Sequence, residues 1–194
     1  MIRLVIATTN PHKVREIREL LDHPSIELVT LAGWPNLPAP EETGRTFAAN
    51  ARQKALYYAA ATGALIVGED SGLEIDALDG APGVESARFG GSETSYPRKF
   101  ALLYDALQAR GAATSPARFV CALALARHDQ VLFETLGTVE GTIAPEPKGS
   151  GGFGYDPIFF YPPYGQTFAE AGERKAAVSH RGQAFRALRA FLVQ

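Results

Sequence analysis

The sequence of 194 residues predicts an α/β fold with a mixed sheet, and two observations carry that prediction. In the first third, short apolar runs alternate with segments of helical spacing, the pattern of strand–helix–strand units. In the middle, two segments, 118–127 and 131–139, flank the short polar link His128-Asp129-Gln130, which makes an antiparallel hairpin. Parallel and antiparallel pairing in one sheet follows from the two together.

Taken in order, residues 4–7 form a buried strand. Asn10 caps the next helix, Pro11 opens it, and Val14, Ile17, Leu20 and Leu21 mark its apolar face. Pro24 closes that helix, and 27–31 reads as a second strand. Residues 32–45, with Pro35, Pro38, Pro40 and two glycines, form a loop. Thr46 caps a helix that runs to Thr62 and stops at Gly63. A strand at 65–67, a turn at 68–72 and a strand at 73–78 come next, ending on the turn signal Asp79-Gly80. After a Gly- and Pro-rich stretch, Phe100, Leu103 and Leu107 mark a helix ending near Gly111. Beyond the hairpin come a loop at 145–154, a strand at 158–161, and a last helix after Ser179 with Phe185, Leu188, Phe191 and Leu192 on one face. The chain is expected to be one domain, 1–194.

Composition narrows the functional classes. A net charge of −2 gives no global field for DNA or an anionic membrane, so no nucleic-acid polymer is expected as partner. An anionic ligand must be met by local clusters of Lys and Arg. One cysteine, Cys121, inside an apolar run, reads as a buried small hydrophobe and excludes an internal disulfide. No apolar run approaches the ~18 residues of a membrane span, and the first residues read as a strand, not a signal peptide. A soluble, cytoplasmic protein is expected.

Five segments hold candidate chemistry. Thr8-Thr9-Asn10-Pro11-His12-Lys13 lies where a strand enters a helix, with free N–H groups and the positive dipole end available to an anion. The same residues also suit a capped helix with a surface lysine. The acidic pairs Glu41-Glu42 and Glu69-Asp70 offer oxygen ligands from two loops, as Mg²⁺ prefers, or are simply a turn and a solvated edge. Asn50 and Lys54, four apart, share a helix face, with Lys54 among Ala51, Ala55 and Tyr58. Gly149 to Gly154 matches G-x-G-x-x-G, but prolines precede it and Tyr155-Asp156-Pro157 comes after it, so a dinucleotide fingerprint is rejected. That loop instead offers Phe153 and Tyr155 to a flat ligand. Last, Lys175 and Ser179-His180-Arg181 precede the final helix. Arg or His donors aimed at O6 and N7 favour a 6-oxo purine over adenine by about 1–3 kcal/mol for a good bidentate pair. A cation opening a helix opposes the dipole, which singles out His180-Arg181 further.

In this order the segments resemble the family of inosine/xanthosine triphosphate pyrophosphatases. The matching stretches are ATTNPHKVREI at 7–17, EETGRTFAANARQKA at 41–55, GEDSGLEIDALDGAPGVESARF at 68–89, GGFGYDPIFF at 151–160 and KAAVSHRGQA at 175–184. The resemblance implies an elongated mixed sheet flanked by helices, two lobes with a central nucleotide cleft, and a homodimer. It implies Mg²⁺-dependent cleavage of ITP, dITP and XTP to the monophosphate and pyrophosphate, clearing them from the nucleotide pool. Carried over, Thr8, Thr9, Asn10, Pro11, His12, Lys13 and Lys54 bind phosphates. Glu41 and Asp70 hold Mg²⁺, and Asp70 serves as base for the attacking water. Ser71, Phe153, Gly154, Tyr155, Asp156, Lys175, His180 and Arg181 contact substrate. Two positions depart from the family pattern: Thr9 stands where Gly is frequent, and Glu69 replaces a common Asp. Two rival readings are a pyrophosphatase for pyrimidine or modified nucleotides and a non-catalytic nucleotide sensor.

Overall fold

The computed structural model describes residues 1–194. Seven strands form one mixed sheet in the order β2-β1-β3-β4-β5-β6-β7. They are β1 (Ile2–Ile6), β2 (Ile26–Thr30), β3 (Leu65–Ile75), β4 (Pro116–Arg127), β5 (Gln130–Ile143), β6 (Phe159–Tyr161) and β7 (Gln166–Thr167). β1 pairs in parallel with β2 and β3, whereas β6 is antiparallel to both β5 and β7. The helices are α1 (Pro11–Leu20), α2 (Phe47–Thr62), α3 (Tyr96–Ala109), α4 (Phe168–Ala171), α5 (Lys175–Val178) and α6 (His180–Leu192). No helix is long and apolar enough to cross a membrane.

The chain forms two compact units. The first holds residues 1–70, 121–137 and 180–194. Its core takes Leu4, Ile6 and Val67 from the parallel strands, Cys121, Leu123 and Leu125 from β4, Ile17 from α1, and Phe185 and Leu188 from α6. Alternation along a strand sends these residues to one face of the sheet, the face that α1 and α6 cover. The second unit holds residues 71–120 and 138–179. Its core centres on Phe119, Phe159 and Phe168, with the Phe119 and Phe159 rings 4.6 Å apart, joined by Leu73, Ile75, Leu103 and Tyr155.

The caps behave as the residues dictate. The Asn10 side chain accepts from the backbone N–H groups of His12 and Lys13, and Thr46 accepts from Ala49. Gly63 ends α2 in the left-handed region at φ 68°. The hairpin of β4 and β5 turns at His128-Asp129, where His128 has φ 56°.

The sequence reading omits β7, α4 and α5, and it differs from the structure most at β3. There is no turn at 68–72, and β3 runs unbroken from Leu65 to Ile75. Gly68 is there for proximity. A Cβ on it would lie 2.7 Å from the Ala55 nitrogen and closer still to the Ala51 carbonyl oxygen, because α2 lies directly on the strand. Gly72 meets the Ser86 hydroxyl and the Gly83 carbonyl in the same way. Beyond Ile75 the chain enters a short 3-10 turn, Asp76–Leu78, so the expected strand to 78 is three residues too long.

Candidate active site

β1 stops early, and this creates the site in the first unit. Its last pairing with β3 is Ile6 to Val67, after which β3 continues without that neighbour. The chain leaving β1 becomes Thr8–Lys13 and the start of α1. The Lys54 ammonium, from α2, donates to the Glu69 carbonyl at 3.1 Å and so satisfies a backbone acceptor of the exposed edge.

On this stretch Glu69 and Asp70 are neighbours in a strand and therefore point to opposite faces. Asp70 shares the α2 face with Gly68. Its carboxylate accepts from the Asn50 side-chain amide at 3.0 Å, while the Asn50 carbonyl oxygen accepts from the Gly44 N–H at 2.8 Å. One amide thus ties the 41–46 loop to the strand carboxylate. Burial pushes the Asp70 carboxyl above its usual range, and Glu42 adds to this. The Asn50 amide and the charges of Lys54 and Lys13 pull the other way.

Lys54 lies 2.5 Å from Glu42, with side-chain exposures of 13% and 26%. Burial opposes its charge, but Glu42, Glu69 and Asp70 outweigh that and raise its pKa. Of the acidic pair in the loop, Glu42 is therefore the one turned toward Lys54 and Asp70. Glu41 is exposed and contributes its backbone oxygen to Gln53 at 2.9 Å. A loop has no period, so nothing in the sequence distinguishes the two glutamates.

Glu69 points to the α1 and α6 face and is 1% exposed. One of its oxygens lies 2.8 Å from the Lys13 ammonium. The other accepts from Arg181 Nη2 at 2.8 Å and Nε at 3.2 Å. Arg181 Nη1 reaches Glu16 at 2.7 Å. Burial opposes the Arg181 charge, yet Glu69 and Glu16 together raise its pKa. Arg181, second in α6, is thus balanced by two carboxylates where the helix dipole alone would disfavour it. Cys121 is fully buried as expected, its thiol 3.5 Å from Glu69 and pushed well up by burial and that neighbouring charge. The four acidic residues read as one set are consequently divided between two faces. Sequence reasoning missed Glu16, although it lies three residues from Lys13 on α1, a spacing that places both on one side.

Within the second unit, the loop before β6 assembles Phe153, Asp156 and Lys175. Asp156 is 1% exposed, and it accepts from the Phe153 N–H at 2.9 Å and from the Lys175 ammonium at 2.7 Å. That ammonium also sits 4.9 Å from the centre of the Phe153 ring, within cation–π range. Gly149, Gly152 and Gly154 all have positive φ, and no α-helix opens directly after them, which agrees with rejecting a dinucleotide fingerprint. Tyr155 does not offer its ring to a ligand. It is 3% exposed, packs edge-on against Tyr96, and donates its hydroxyl to the Ser86 carbonyl at 2.8 Å.

The other sequence candidates are divided between the two units. Thr8, Asn10 and Lys13 are partly buried, whereas Thr9, Pro11 and His12 are exposed at the start of α1. His180 is buried as the first residue of α6, and Ser71 comes after Asp70 on β3, half-buried.

A model of the Ham1 family matches residues 4–191. A dITP/XTP pyrophosphatase from an Exiguobacterium species is 48% identical over 193 residues, covering 99% of this chain and 97% of its own. The dITP/XTP pyrophosphatase of Thermus thermophilus is 49% identical over 188 residues, covering 96% of this chain and 90% of its own. Among solved structures, a HAM1 protein from Coxiella burnetii aligns with a TM-score of 0.92 at 39% identity, covering 99% of this chain and 98% of that one.

Proposed function

Because the chain belongs to the Ham1 family, we propose that it hydrolyses the non-canonical purine triphosphates ITP, dITP and XTP to the monophosphate and pyrophosphate. The observation that carries the reading is the buried Asp70 carboxylate, held by Asn50 and standing near Lys54, Lys13 and Glu42. A carboxylate set among cations is what a water-activating base beside an anionic substrate needs.

In the proposed reaction, Asp70 orients a water molecule and accepts its proton. The water oxygen bonds to the α-phosphorus as the bond from that phosphorus to the bridging oxygen breaks, and pyrophosphate leaves with the electron pair. Lys13 and Lys54 offset the charge of the triphosphate, and the N–H groups opening α1 add a further anion site. Burial serves Asp70 by raising its affinity for the proton it must take.

The donor set suits Mg²⁺, which is commonly held by one or two carboxylates together with substrate phosphates. Asp70 and Glu42 would hold it, in preference to the outward-facing Glu41, and it would draw charge from the phosphate oxygens. Phe153, with Lys175 beside its ring, is the group we assign to stacking on the purine, while Asp156 fixes both. We further propose that the protein works as a cytoplasmic homodimer, which sedimentation at several concentrations tests.

The test of the activity is pyrophosphate release from ITP, XTP, GTP, ATP and UTP, each with Mg²⁺ and with EDTA. Release from ITP and XTP that EDTA abolishes is the expected result. Equal release from UTP would overturn the purine assignment. Release undiminished by EDTA would overturn the metal.

A further inference from the structure

Lys13 and Arg181 come from helices at opposite ends of the chain, yet the same carboxylate holds both. We propose that Glu69 is a positioning residue, the shared counter-ion that sets Lys13 and Arg181 in place and so couples phosphate handling to base selection. It rests on the proposed activity and on the sequence reading, in which Lys13 meets phosphate and Arg181 contacts the purine.

The geometry is specific. The two Glu69 oxygens are divided, one to the Lys13 ammonium at 2.8 Å and one to the Nε and Nη2 atoms of Arg181 at 3.2 and 2.8 Å. The side chains of Glu69 and Arg181 are 1% and 2% exposed, and that of Lys13 is 17% exposed. Lys13 is thus one accessible end of a network whose centre, Glu69 and Arg181, is buried and whose other end is Glu16, 20% exposed. Two cations this near one another repel unless an anion sits between them, and Glu69 is on the face of β3 that α1 and α6 cover. Alternation along the strand explains why Glu69 does this and Asp70 does not. An incoming phosphate competes with Glu69 for Lys13, and the carboxylate charge then falls more fully on Arg181. Phosphate occupancy and the hold on Arg181 are in this way linked through one residue.

The test compares wild type, Glu69→Gln and Glu69→Asp in three measurements. These are kcat and KM for ITP, the ratio of kcat/KM for ITP over ATP, and calorimetric binding of inorganic tripolyphosphate. Glu69→Gln removes the anion that competes for Lys13, so tripolyphosphate affinity is expected to hold or tighten. Its kcat falls about 10- to 100-fold, as for misplaced catalytic groups generally, and the ITP-to-ATP ratio falls with it. Glu69→Asp, one methylene shorter but still charged, recovers part of that ratio. A merely structural role would weaken turnover and tripolyphosphate binding together while leaving the ratio at its wild-type value, and that result overturns the proposal. If Glu69→Gln does not fold, Glu69→Ala takes its place as the uncharged variant, and an unchanged ratio in it is equally fatal. If wild type itself releases no pyrophosphate from ITP or XTP, the proposed activity has failed. The tripolyphosphate comparison then still decides whether Glu69 competes for Lys13, and weaker binding by Glu69→Gln would refute that.

Discussion

Replacing Gly68 with alanine tests the packing that brings α2 onto the strand. The added Cβ would stand 2.7 Å from the Ala55 nitrogen, against an ordinary contact of at least 3.4 Å, and nearer still to the Ala51 carbonyl oxygen. Both obstacles are helix backbone, which has no rotamer to change. The helix must therefore retreat from β3 by roughly 1 Å, and overpacking of this kind costs about 2–3 kcal/mol. For a chain of this length, about 2–4 °C of Tm per kcal/mol gives a fall of about 4–12 °C. The same retreat carries Asn50 and Lys54 away from Asp70, and a misplacement near 1 Å costs about 100-fold in turnover. The assay is a thermal melt alongside pyrophosphate release from ITP, at a temperature where both proteins are folded. Gly33→Ala is the control, because a Cβ there meets nothing within 4 Å. If Gly68→Ala melts and turns over like wild type, α2 does not rest on the strand as described.

The same geometry sets several other outcomes. Asp70→Asn should abolish turnover. It should also raise stability at neutral pH, measured in EDTA. The folded-state pKa of Asp70 is raised, so its contribution is favourable in acid and lost as pH rises through that value, and the amide escapes the loss. The gain should vanish in acid, and a constant difference across pH would contradict the burial argument. Tyr155→Phe, losing one hydrogen bond to the Ser86 carbonyl, should lower stability by about 0.5–1.5 kcal/mol with KM for ITP unchanged. Phe153→Ala should instead raise KM with little effect on Tm, and a reversal of these two results would return Tyr155 to the ligand.

The alternation of strands and helices, the caps at Asn10 and Thr46, and the hairpin at 128–130 are all written in local residue chemistry, and each forms where that chemistry predicts. The departure at 68–72 has a physical source. A glycine chosen for left-handed backbone and one chosen for close approach are the same letter, and only the partner lying on it distinguishes them. A turn there also hides a second fact, because residues in a turn have no alternation to separate Glu69 from Asp70. The choice between Glu41 and Glu42 depends on how the loop is tied down by Asn50, a contact between segments. Tyr155 escapes sequence reasoning because an aromatic in a glycine-rich loop serves equally as ligand platform or core anchor. The Ser86 carbonyl and Tyr96 ring that settle its role lie far away in the chain.

Because the two carboxylates sit within an unbroken strand, the length of this segment constrains the protein more tightly than its spelling. A single residue inserted between Val67 and Asp70 would exchange the faces of every later residue in β3, sending the proton acceptor toward α1 and α6. The stretch at 34–40, bound by few such rules, can absorb added residues at small expense. Natural variation in this chain is therefore expected to place insertions and deletions in that loop and to exclude them from 65–75, whatever substitutions the strand accepts.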